Sequence, residues 1–104
     1  MKPPKRVTVG PHRYRVVVDD NAIVASSGAS GRCDAEGLVI SLNGGMAPTA
    51  LADTLLHELV HACVGPCNLD EKVEERVALA LGPALLALIR DNPRLVRWIE
   101  QVAA

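Results

Sequence analysis

Residues 57 to 61 read His-Glu-Leu-Val-His, inside a stretch, 49–64, whose apolar spacing is that of a helix. A helix turns once in 3.6 residues, so His57 and His61 stack on one face and their imidazoles can share one metal ion. Glu58 stands one step round the helix, where its carboxylate reaches a metal-held water without taking a coordination position. Chance produces such a pattern in a chain this short in roughly a few cases per thousand. Leu55, Leu56, Leu59 and Val60 around it supply the apolar positions of a helix buried in a small core. The pattern therefore predicts Zn²⁺ held by His57 and His61, with Glu58 as general base for a hydrolysis. The competing reading is an ordinary amphipathic helix with two satisfied histidines.

A chain of 104 residues, 49% of them hydrophobic, makes one domain, 1–104, with one modest core and no room for a second lobe. Net charge is −1. Apart from Lys2, Lys5 and Arg6 the basic residues are dispersed, which predicts no nucleic-acid footprint. The start of the chain lacks the apolar run of a secretory signal, and the run 77–89 is too short to span a bilayer. Both point to a soluble cytoplasmic protein with no membrane partner. Three cysteines, Cys33, Cys63 and Cys67, are an odd number and argue against a disulfide framework.

Two β-like runs, 6–9 and 13–18, flank Gly10-Pro11 and predict a hairpin. A flexible loop is expected over 26–31 and a third strand over 38–42. Pro48 suits the first turn of the motif helix, and Gly65-Pro66 should end it. Asn68 with Glu71 resembles a capping box opening a second helix, which runs to about Arg90 with a kink at Gly82-Pro83. Asn92-Pro93 opens a last helix that Trp98 should anchor in the core. The predicted fold is α+β: a small antiparallel sheet of about three strands, followed by two or three helices.

A catalytic zinc takes three protein ligands and a water, and no histidine follows His61. The third ligand must come from Asp70, Glu71, Glu74, Glu75 or Cys67. Val73, Val77, Leu81, Leu85 and Leu88 mark an apolar stripe on the second helix, and Glu74 falls in the same sector. A carboxylate buried there needs a cation, so Glu74 ranks first and Glu75, on the more polar side, second. Asp53, four residues before His57, is placed to accept that histidine's second N–H. Cys63 and Cys67 offer a structural-zinc alternative, weakened because Cys63 points away from the histidine face.

A His-Glu-x-x-His helix followed by a glutamate on the next helix resembles the gluzincin-type zinc metallopeptidases. In its size and its Leu-Leu-His-Glu-Leu-Val-His-Ala segment the chain is similar to minimal metallopeptidase-like proteins, often phage- or prophage-encoded, and more distantly to the ImmA/IrrE group. That resemblance covers residues 53–78. It implies a minimal zincin-like fold, His57 and His61 as ligands, Glu58 as base, Glu74 or Glu75 as third ligand, and a peptide or protein substrate. The large lobe of bigger gluzincins is absent, and no Tyr or His after His61 can stabilise a tetrahedral intermediate. Tyr14, His12 and Arg32 are the candidates to reach in from the sheet. An extended peptide is expected to add as a strand beside 38–42. The rival reading is a non-catalytic zinc-binding regulatory or interaction module.

Overall fold

A computed structural model describes residues 2–19 and 29–104. Its order is β1 (Arg6–Val9), β2 (His12–Asp19), β3 (Gly31–Asp34), β4 (Val39–Asn43), α1 (Pro48–Val64), a 3₁₀ turn (Gly65–Cys67), α2 (Glu71–Asp91) and α3 (Pro93–Val102). The class is α+β, as the sequence predicts. Alternation in β2 turns Tyr14 and Val16 inward, and Ile40 and Leu42 of β4 join them in the core. Ala62 of α1 completes that cluster, flanked by Leu51, Leu55 and Leu59. Helix α1 packs on β1, β3 and β4, and α2 packs on α1.

The β1–β2 hairpin forms where Gly10-Pro11 predicts it, with Val9 opposite His12 and Gly10 at φ 56°, a conformation in which glycine bears no steric cost. The sheet has four strands in the order β1-β2-β4-β3, and β2 pairs with β4 in parallel. This differs from the antiparallel, roughly three-stranded expectation because of β3. Only four residues long and carrying Arg32 and Asp34, β3 lacks an apolar alternation to announce it. It forms an antiparallel pair with β4, makes the sheet edge and moves β4 inside. Since β4 is flanked by β2 and β3, a peptide cannot pair beside 38–42, and the edge strands among the described residues are β1 and β3. Of the loop expected over 26–31, residues 26–28 lie outside the described residues, and Gly31 opens β3.

Pro48 occupies the first turn of α1 as expected. Gly65 does not stop the helix in the left-handed conformation; it stays helical and leads into the 3₁₀ turn, which Asn68 ends at φ 56°. Asn68 therefore caps nothing at the start of α2. That role falls to Asp70, whose side chain accepts from the Lys72 N–H at 2.9 Å. Helix α2 runs unbroken through Pro83 to Asp91.

The apolar stripe expected to bury α2 is instead exposed: Val73, Leu81, Leu85 and Leu88 all face outward. Ala78 and Gly82 are the buried residues of this helix. Small side chains win because they let the two backbones approach: a Cβ on Gly82 would lie 3.2 Å from both N and Cα of His57. Trp98, expected in the core, is 59% exposed, because α3 contacts little besides α2. No helix among the described residues is long and apolar enough to cross a membrane.

Candidate metal centre

One helical turn apart on α1, His57 and His61 meet edge to face with ring centroids 5.0 Å apart. Both Nε2 atoms face Glu75 of α2: Oε1 lies 2.9 Å from His57 Nε2, and Oε2 lies 3.3 Å from His61 Nε2. One ligand atom from each of the three residues falls within 4.8 Å of the others, so the group can hold a metal ion. The donor chemistry fits a cation. On the other side of His61, Glu74 Oε2 accepts from Nδ1 at 2.6 Å. A carboxylate only accepts, so the Nδ1 N–H donates to Glu74, while Nε2 lies 3.3 Å from Glu75 Oε2, where a metal ion would take the place of a proton between nitrogen and carboxylate.

Of the two glutamates ranked from the sequence, Glu74 lies against His61 Nδ1 and Glu75 against both Nε2 atoms. Glu74 is the more inward of the two, as its sector predicts, yet inward at this level of α2 means the back of the His61 ring. Glu75, on the flank and half exposed, reaches the Nε2 atoms of both histidines. Neighbouring residues on a helix point about 100° apart, and that rotation aims Glu75 at the open side of α1.

Glu58 is the one buried charged residue among those described, 7% exposed. Burial pushes its carboxyl above the usual range, His57 and His61 pull it back, and Glu75 pushes it up again. Gly31 of β3 makes room for it: a Cβ there would lie 3.3 Å from Glu58 Cγ and 2.6 Å from Thr54 Cγ2. His57, Glu58, His61, Glu74 and Glu75 all line one cleft of about 640 Å³, walled on its far side by β3.

Arg32 lines this cleft. Tyr14 does not: it is 4% exposed in the core, where its hydroxyl meets Cys33. His12 is exposed at the hairpin end of β2, opposite Val9, and is likewise outside the cleft wall. Asp53 lines the cleft, but no hydrogen bond joins it to His57, and its buried Oδ1 has no partner. No cysteine belongs to the metal group among the described residues, and Cys63 and Cys67 are exposed. Cys33 is a cleft residue that sequence reasoning gave no role. Burial, and after it the negative field of Glu58, pushes its thiol up to about 11. Gly31 and Gly82 shape the site equally, and neither carries a sequence signal beyond being glycine.

Comparison with protein-family models, curated proteins and solved structures finds no match for this chain. The functional reading rests on the site itself.

Proposed function

We propose that this protein is a zinc-dependent metallopeptidase in which His57, His61 and Glu75 hold the metal. The observation that carries this reading is the convergence of both histidine Nε2 atoms on the two Glu75 oxygens, with buried Glu58 one residue along the same helix. Two imidazoles and one carboxylate are the ligand set of a zinc that keeps an open position. Zinc in such a site polarises a carbonyl and lowers the pKa of a bound water.

The protein's own groups supply the remainder. Glu58, its proton affinity raised by burial, accepts the proton of the attacking water and delivers it to the leaving nitrogen. Glu74 holds the His61 ring in one tautomer and orientation, strengthening it as a ligand. An extended peptide pairs with the edge strand β3, which lines the cleft, so that its backbone passes in front of the histidines. Arg32 is the one Lys or Arg among the described cleft residues, and so the candidate cation for negative charge developing on the carbonyl oxygen.

The alternative, a zinc-binding regulatory module without catalysis, draws support from Tyr14 and His12, which both lie outside the cleft. Hydrolysis of unfolded casein by wild type and by Glu58→Gln separates the two. The peptidase reading expects activity in wild type and a loss of at least ~10²-fold in the variant, the usual worth of a positioned base. Equal rates in both would overturn it.

A further inference from the structure

Residues 1–18 hold Lys2, Lys5, Arg6, Arg13 and Arg15 and none of the chain's 12 acidic residues, a purely basic stretch in a chain of net charge −1. Along the chain Arg6 stands apart from Arg13 and Arg15. The β1–β2 hairpin folds them together, with Arg6 the direct partner of Arg15 and Thr8 of Arg13. Cross-strand partners share a face of the sheet, and so do residues two apart on one strand, so the three arginines stand on one side. That side is turned from the helices: Val7, Val9, Tyr14 and Val16, which alternate with the arginines, meet α1 in the core, whereas Arg6, Thr8, Arg13 and Arg15 are exposed. None of these four exposed residues lines the cleft.

The Val16 N–H donates to the Lys5 carbonyl oxygen at 2.8 Å. Residues 5 and 16 are therefore a hydrogen-bonded pair, and Arg6 and Arg15 fall in the closer, non-hydrogen-bonded kind, with Cα atoms ~4.5 Å apart. Arg13 lies about 7 Å from Arg15 along the same strand. Like charges set directly opposite each other destabilise a sheet. No carboxylate offsets them, since among the described residues the one arginine in an ion pair is Arg90, with Asp91. An anionic partner would relieve this repulsion.

We infer that this face binds the phosphate backbone of a nucleic-acid duplex without reading its sequence. The planar guanidinium fork matches a phosphate, and three forks on one rigid hairpin can each take one. What accompanies the arginines selects the partner. On this face β1 and β2 add only Thr8, Val17 and, at the far end of β2, Asp19. There is no aromatic side chain on which an unpaired base would stack. There is also no large apolar one to anchor a protein partner or to sink into a membrane. Recognition left to charge alone suits a duplex, whose phosphates are exposed and regularly spaced whatever the sequence.

Fluorescence anisotropy of the full chain with a labelled DNA duplex of arbitrary sequence tests this, with readouts independent of metal and activity. Wild type should bind with a Kd in the micromolar range at about 50 mM salt, and log K should fall against log salt with a slope of about −3, the value for three neutralised phosphates. Arg6→Gln, Arg13→Gln and Arg15→Gln should each reduce that slope by about one and weaken binding equally on unrelated sequences, while circular dichroism stays that of the folded chain. Arg94→Gln and Arg97→Gln, on α3, should change neither affinity nor slope. Absence of binding up to about 100 µM protein overturns the proposal. So does a slope unchanged in the three hairpin variants, an equal loss in the α3 variants, or tighter binding to anionic lipid vesicles or to polyglutamate than to the duplex at the same salt.

Discussion

Gly82 of α2 lies directly against the backbone of His57, so close that a Cβ there would sit 3.2 Å from His57 N and Cα. The first histidine of the motif is thus backed by a helix that approaches without a side chain, and that approach brings Glu75 to 2.9 Å from the same histidine's Nε2. Gly82→Val should push α2 away. Overpacking of this kind costs about 1–3 kcal/mol, more than the helix gains by losing a glycine. A lower thermal midpoint together with weaker zinc binding is the expected result. A variant with wild-type zinc affinity would mean that the spacing of α1 and α2 does not set the site.

In the proposed site, Glu74 acts on the metal through His61. Glu74→Gln keeps a side chain able to accept from Nδ1 but removes its charge, and outer partners of this kind are worth about 10–100-fold in metal affinity. Competition with a chromophoric chelator should show a loss in that range. A loss of many orders of magnitude would make Glu74 itself a ligand.

Gly31 holds β3 close over Glu58, with a Cβ position 2.6 Å from Thr54 Cγ2. Gly31→Ala should destabilise the domain by about 1–3 kcal/mol. Adding Thr54→Ser removes the clashing methyl and should recover part of that loss. Chemical denaturation of the single and double variants measures the coupling, and strictly additive effects would rule out the contact.

Cys33 should resist alkylation in the metal-free protein. A thiol pushed up to about 11 is almost wholly protonated at pH 8, and only the thiolate reacts. Peptide mapping after iodoacetamide at pH 8 should find Cys63 and Cys67 modified and Cys33 spared, with Cys33 labelling rising as the pH climbs toward 11. Early labelling of Cys33 would contradict its placement beneath the cleft wall.

The parts of this protein legible in its sequence are those written by local rules. The hairpin follows from Gly10-Pro11 between alternating runs, and the start of α1 from Pro48. The pairing of His57 with His61 follows from helical period alone. What period could not reveal is which side of α2 meets α1, because 77–89 is apolar on every side and offers no polar face to exclude. The large residues of Val73, Leu81, Leu85 and Leu88 suggested one stripe, while close approach selected the small ones, Ala78 and Gly82. That rotation leaves Glu74 inward and brings Glu75 to the Nε2 atoms of both histidines. β3 escaped notice because a four-residue edge strand needs pairing partners more than pattern, and its partner β4 lies several residues further along the chain.

Zinc content of purified wild type, Glu58→Gln and Glu75→Gln tests the central assignment most directly. With His57, His61 and Glu75 as ligands and Glu58 reserved for the water, wild type and Glu58→Gln should each carry one zinc per chain, and Glu75→Gln should carry far less after dialysis. One zinc per chain in folded Glu75→Gln, or its loss from folded Glu58→Gln, would contradict the account.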